Sequence, residues 1–436
     1  MSRAGKHRAK RAGRAGRSGR AGGRRMGRRA FLTGAGAAAV GLGLWLRRGW
    51  LNGGDPASAP PAAGGQDAPA AGEWRAVWVS YIELAGMDWT SADAFRADAQ
   101  AMMDRCAALG LNTVIVQVRP FGDALYRSAL YPWSHLCTGA QGRDPGFDPL
   151  DILLTEAHLR GIAVEGWINP YRLQAGGLPR ALCETNLAHT HPEWVVEAGG
   201  GLYLNPAIPE AAAYVADGVA ELVQNYPVDG VHFDDYFYPT TDPAIDAAQF
   251  AAAGGGDLAA FRRGQITALV KAARDAVKAA DPTLRFGVSP QGNPDNDLNQ
   301  QYCDVYAWLA AGGADAVVDY LCPQLYWGDG FTLSNGSQRF AYQNILAEWA
   351  AIPRAEAALY VGLGAWQIGD GDGSADGGAA ARWSTGRVLA DQVAGLRAAG
   401  AGGYALYRYG SLFENAAWPE LAAAERAALA AANGMA

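Results

Sequence analysis

Histidine and cysteine are scarce in this chain, six and five residues among 436. The histidines show no His-x-x-x-His or His-Glu-x-x-His spacing, so a zinc hydrolase has no motif to stand on, and neither a metal nor a cofactor is expected. The cysteines (Cys106, Cys137, Cys183, Cys303 and Cys322) form no Cys-x-x-Cys pair, which removes a zinc ribbon and a thioredoxin-like site. No Gly-x-Gly-x-x-Gly follows the first strand-like run and no Gly-Lys-Ser/Thr loop occurs anywhere, so nucleotide folds lose their best support. Basic residues are also scarce beyond residue 50. Fourteen of the 36 Lys and Arg precede that point, leaving 22 against all 43 acids, a net of −21 for residues 51–436. A body so acidic repels a phosphate backbone, which argues against a nucleic-acid partner. What is plentiful is apolar material, 50% of the chain, enough for a sizeable core.

The basic N-terminus reads as an address. Twelve bases lie in residues 3–29, and Arg28-Arg29-Ala30-Phe31-Leu32 opens a weakly hydrophobic run over 31–46. Paired arginines ahead of such a run resemble a twin-arginine export signal, assigned to residues 1–50. The run serves either as a cleaved signal, with Ala57-Ser58-Ala59 as a cleavage site, or as an anchor to the membrane. Residues 51–72, rich in Pro, Ala and Gly, read as a flexible linker. Export to the periplasm or cell envelope would permit a disulfide, for which Cys137 and Cys183 are the candidates.

From Trp74 onward, short β-branched and aromatic runs alternate with Ala-rich helical patterns. Strands are expected over 75–81, 113–119, 162–168, 230–236, 284–289, 318–326, 359–365 and 403–409. Helices are expected over 94–109, 150–160, 210–226, 258–280, 340–349, 385–398 and 420–431. Several stop at glycine, as at Leu109-Gly110 and Ala399-Gly400. Eight such repeats over residues 73–432 suit a single α/β domain, a (β/α)8 TIM barrel with enlarged βα loops, expected to act as a monomer.

In a barrel, chemistry collects where strands end. Period-two alternation puts Val114, Val116, Val118, Val231 and Phe233 on the helix side. It aims Gln117, Arg119, Glu165, Trp167, Asn169, His232, Asp234, Gln324 and Tyr326 into the mouth. Tyr171, Arg172, Tyr236, Trp327, Trp366 and Tyr407 follow strand ends as further substrate-binding candidates. A polar mouth rimmed by aromatics suits a sugar, whose hydroxyls pair with amides and acids while its apolar face lies on a ring. Glycoside hydrolysis needs two carboxyls in different protonation states. Asp234 is the main candidate, with Asp235 or Glu165 as partner. Alternation sends Asp234 and Asp235 to opposite faces, so a second acid is expected from another strand, with Glu165 first and Asp295 and Asp329 in reserve. Arg119 and Arg172 could hold an acidic or N-acetyl-bearing sugar or pair with carboxylates, and His232 reads as an orienting donor.

Several of these stretches carry rare words in order. They are Asn112-Thr113-Val114-Ile115-Val116-Gln117-Val118-Arg119-Pro120, Trp167-Ile168-Asn169-Pro170-Tyr171-Arg172, His232-Phe233-Asp234-Asp235-Tyr236-Phe237-Tyr238-Pro239 and Pro323-Gln324-Leu325-Tyr326-Trp327. On them the chain resembles the glycosyl-hydrolase-like 10 family of exported bacterial barrels, which includes a peptidoglycan-strand glycosidase. One departure is Glu165-Gly166, where relatives often have His-Ala. The resemblance implies a TIM barrel acting on a cell-envelope glycan. The alternative from another class is a non-catalytic glycan-binding barrel that keeps the aromatics and lacks one carboxyl.

Overall fold

The computed structural model describes residues 72–435, so the export segment and all but the last residue of the linker lie outside the described residues. The eight expected strands are present. They are β1 (Trp74–Val79), β2 (Thr113–Arg119), β3 (Ala163–Ile168), β4 (Gly230–Phe233), β5 (Arg285–Val288), β6 (Tyr320–Leu321), β7 (Ala358–Leu359, resuming as Val361–Leu363) and β8 (Gly403–Leu406). All neighbours pair in parallel. The sheet closes through β7, whose first half registers with β6 and whose second half registers with β8. The break at Tyr360 is nominal, because its N–H still donates to the Leu321 carbonyl at 2.9 Å.

A helix follows each strand: α1 (Ala92–Ala108), α2 (Pro149–His158), α3 (Pro209–Asn225), α4 (Leu258–Ala280), α5 (Val305–Ala310), α6 (Tyr342–Ala350), α7 (Val388–Ala398) and α8 (Pro419–Ala432). Local chemistry sets their ends. Ser91, Asp148 and Asp257 accept hydrogen bonds from the first-turn N–H groups of α1, α2 and α4, and Pro149 sits where the helix needs no donor. Gly110, at φ +73°, takes the left-handed turn that stops the first helix. The helix α5 was not expected; six residues are too few for a 3.6-residue period to show. Also unforeseen is a three-stranded antiparallel sheet after β3, built from Arg172–Gln174, Val195–Ala198 and Gly201–Leu204. Among the described residues, no helix is long and apolar enough to cross a membrane.

Two cores result. Val114, Val116, Val118, Val231 and Phe233 are buried between sheet and helices, as alternation requires. A smaller cluster fills the barrel interior: Trp74, Ala76, Trp78, Ile115, Trp167, Tyr320, Cys322 and Ala405. The lumen is therefore packed, and chemistry is confined to its upper end. All five cysteines are free thiols, so Cys137 and Cys183 do not form the expected disulfide in this structure.

Candidate active site

The strand β4 ends at Phe233, and Asp234 and Asp235 follow on irregular backbone at the mouth, each only 5% exposed. Beyond the last paired residue the alternation rule lapses. The two carboxyls lean to different neighbours within one pocket instead of pointing to opposite faces.

Asp234 leans toward β3. Its Oδ2 accepts from the Asn169 Nδ2, and Asn169 is itself fixed: its Oδ1 accepts from Gln117 Nε2 at 2.5 Å, and Gln117 Oε1 accepts from the Tyr81 N–H at 2.9 Å. Because the Tyr81 N–H can only donate, the Gln117 amide has one orientation, and so has Asn169. The Asp234 Oδ1 is buried without a close, well-aligned hydrogen bond, although the Tyr236 N–H and the Trp167 indole lie beside this carboxyl and favour its ionised form. Asp235 leans toward β6. Its Oδ1 accepts from Gln324 Nε2 at 2.8 Å, and the same amide donates to the Ser289 carbonyl at 3.0 Å. Gln291, after β5, lies beside this carboxyl too.

Burial pushes both carboxyls above the usual range, and for Asp234 the charge of Asp235 adds to that rise, opposed by Arg172. On Asp235 the amides of Gln324 and Gln291 act the other way, favouring the ionised form. Two acids that cannot both ionise cheaply divide into a proton holder and a carboxylate, and Asp234, which carries the added repulsion of its neighbour, is the proton holder.

Around the pair stand Arg172, Tyr236, Tyr326 and Tyr407, each within electrostatic reach of one or both acids. Arg172 donates from Nε and Nη2 to the Pro120 carbonyl (3.0 and 2.8 Å), and its guanidinium lies over the Phe121 ring at 4.4 Å. Tyr326 and Tyr407 stack, with centroids 5.6 Å apart, and Tyr407 meets Trp78 edge-on. Trp167 is buried below Asp234, and half-buried Trp366 donates its backbone N–H to the Tyr407 carbonyl. Two members were missed from sequence. Gln291 gave no signal, but Tyr81 had one: Ser80 and Glu83 form a capping box just past β1, marking a turn at the rim.

Seven residues need a corrected placement. Glu165 faces inward but lies at the barrel floor, opposite Gly230 and Arg285 at the start of their strands. Its Oε1 accepts from Arg285 Nη2 at 2.6 Å and its Oε2 from the Tyr320 hydroxyl, so its oxygens are engaged away from the Asp234–Asp235 pair. Arg119 does not reach the mouth. A bulge between Gln117 and Arg119 pairs Arg119 with the outward-facing Ile168, so its guanidinium lies 4.1 Å over Tyr131 on the helix side, fully buried. Tyr171 is fully buried in the outer core, and Trp327 packs on that core, stacked on Phe340. Of the reserve acids, exposed Asp295 pairs with Arg339, and Asp329 is exposed. His232 is completely buried beneath the pair, bonded to Tyr320, Ser289 and Trp78, and burial depresses its pKa to about 3. Among the described residues, no three His, Cys, Asp or Glu side chains group to hold a metal ion.

The paired acids, amides and tyrosines thus stand at the carboxyl ends of the strands of a closed parallel barrel, the face on which TIM barrels carry their sites. The chain belongs to the family described as Glycosyl hydrolase-like 10, which it matches over residues 73–376. It is 35% identical over 325 residues to the glycosyl hydrolase YngK of Bacillus subtilis, covering 68% of this chain and 61% of that protein. Over 355 residues it is 33% identical to the glycosyl hydrolase DigH of Escherichia coli K12, covering 72% of this chain and 77% of that protein. The chain thus spans somewhat under two thirds of the Bacillus relative's length. Among solved structures, the PgaB (BpsB) glycoside hydrolase domain of Bordetella bronchiseptica shares the fold. Its TM-score is 0.51 at 16% identity, with 81% of this chain and 98% of that one covered.

Proposed function

We propose that the protein is an exported glycoside hydrolase that cuts an N-acetylhexosamine-containing polymer of the cell envelope, with peptidoglycan glycan strands as the lead substrate. The observation that carries this reading is the buried Asp234–Asp235 pair, held by Asn169 on one side and Gln324 on the other. Asp234 gives its proton to the departing glycosidic oxygen as the bond to the anomeric carbon breaks. Asp235, favoured as carboxylate by its amide donors, meets the positive charge that develops there, as nucleophile or as base toward water. Tyr236, Tyr326 and Tyr407 supply rings for the sugar faces, and Arg172 supplies a cation for an acidic or N-acetyl substituent. The names of the two relatives support the reaction class. The arginine-rich leader supports export to the periplasm or envelope, with residues 31–46 as signal or tether.

A second reading has its own observation: Glu165 and Asp295 are tied up in ion pairs with Arg285 and Arg339, and Asp329 is exposed, so none of the acids expected from other strands joins Asp234. That favours a glycan-binding barrel without turnover. Release of reducing ends from purified sacculi separates the two. The wild type should release them, and Asp234→Asn should not, while keeping its fold by circular dichroism. Full activity in that variant would overturn the assignment of Asp234. Binding of sacculi without release by the wild type would select the second reading.

A further inference from the structure

A file of buried polar groups runs down the barrel axis beneath the acid pair. Trp78 Nε1 faces His232 Nε2 at 3.3 Å, His232 Nδ1 faces the Tyr320 hydroxyl at 2.8 Å, and that hydroxyl bonds Glu165 Oε2. Ser289 Oγ lies 2.9 Å from His232 Nε2, and the Ser289 carbonyl accepts from the Gln324 amide that holds Asp235. Every member of the axial file from Trp78 to Glu165 is at most 2% exposed, and Ser289 is 1% exposed.

We infer that Glu165 and Tyr320 are positioning residues that lock His232 in its Nδ1–H tautomer, so that the ring braces Ser289 and keeps Gln324 on Asp235. This deepens the function proposed above and rests on it. The polarity of the file follows from donor and acceptor chemistry. An indole N–H only donates, so His232 Nε2 accepts and Nδ1 carries the proton. Nδ1–H then donates to the Tyr320 oxygen, and the Tyr320 proton goes to Glu165, whose other oxygen takes the Arg285 guanidinium. Without an acceptor at the floor, Tyr320 can donate to Nδ1 instead. The ring proton would then move to Nε2 and turn to the Ser289 Oγ, leaving the Trp78 N–H without its acceptor. A buried indole N–H left unpaired in a dry lumen costs its full desolvation. The backbone makes room for this arrangement. A Cβ on Gly287 would stand 2.1 Å from the Tyr320 ring, and one on Gly230 3.2 Å from Glu165. Burial keeps the imidazole neutral, so the tautomer is its one remaining freedom.

Long-range 1H–15N NMR of the His232 ring in the whole protein, paired with kinetics on sacculi, tests the lock. The wild type should show a single Nδ1–H tautomer. Tyr320→Phe and Glu165→Gln should lose it and lower kcat by roughly 10- to 100-fold with KM little changed, the loss expected when a reacting group is misplaced by about 1 Å. Ser289→Ala, which cuts only the last link, should keep the tautomer and still lower kcat, and it covers the case in which a floor variant does not fold. An Nε2–H tautomer in the wild type, floor variants that keep both tautomer and kcat, or floor variants that lose kcat without a tautomer change would each overturn the inference. A wild type that turns over no glycan would sink the proposed function instead, while the NMR arm still decides the lock.

Discussion

Replacing Asp234 with asparagine is expected to silence the protein and, at alkaline pH, to make it more stable. The Asp234 carboxyl is buried beside Asp235, and its pKa in the folded state is raised. A group so raised holds a proton that the unfolded chain releases above about pH 4. Its contribution to stability is therefore whole below that pH and is lost as pH climbs through the raised value. Each unit of elevation is worth about 1.4 kcal/mol, so the wild type forfeits a few kcal/mol by pH 8.5. Asparagine does not titrate, and its carbonyl can still accept from Asn169. With an unfolding entropy of about 2.1 cal/mol/K per residue, a body of this size gains about 1–2 °C for each kcal/mol. Scanning calorimetry at one scan rate should put the Asp234→Asn midpoint about 3–5 °C above the wild type at pH 8.5 and level with it at pH 4.5. A lower midpoint at pH 8.5, or an equal gain at both pH values, would refute the claim that this carboxylate is strained by its surroundings.

Three further outcomes bear on the placement of individual side chains. Arg119→Met should leave kcat and KM on sacculi unchanged, because the guanidinium faces the helix layer; a large rise in KM would return Arg119 to the mouth. Gly287→Ala should cost more than about 1–3 kcal/mol in denaturant unfolding, since the new methyl group would overlap the fully packed Tyr320 ring. In the native protein a thiol reagent should modify one cysteine quickly, half-buried Cys183, and all five only after unfolding; the other four are buried, and burial raises their pKa values.

The barrel was legible in the sequence because the strands are short runs rich in β-branched or aromatic residues and each long helix carries enough turns to show its period. The mouth was legible where strands are regular: Gln117, Asn169 and Gln324 stand where alternation aims them and hold the acids. Alternation specifies a face and says nothing of height along the axis. Glu165 has the right face, but it lies at the floor beside the first residues of β4 and β5. Nor does alternation survive a bulge, whose extra residue turned Arg119 outward. It also ends with the strand, which is why Asp234 and Asp235 share a pocket and why Tyr171, three residues past β3, falls into the outer core. Gln291 follows a strand at a position with no motif around it, and only the fold brings it to Asp235.

Closure of the sheet through β7 bears on how this chain behaves among its own copies. A ring of strands paired on both sides offers no row of free amides and carbonyls for a second molecule to extend. Among the described residues, unpaired strand edges are confined to the small antiparallel sheet, where Arg172–Gln174 and Val195–Ala198 flank the middle strand. The outer run is four residues long and carries the exposed charge of Glu197, a short and repellent template for fibrous growth.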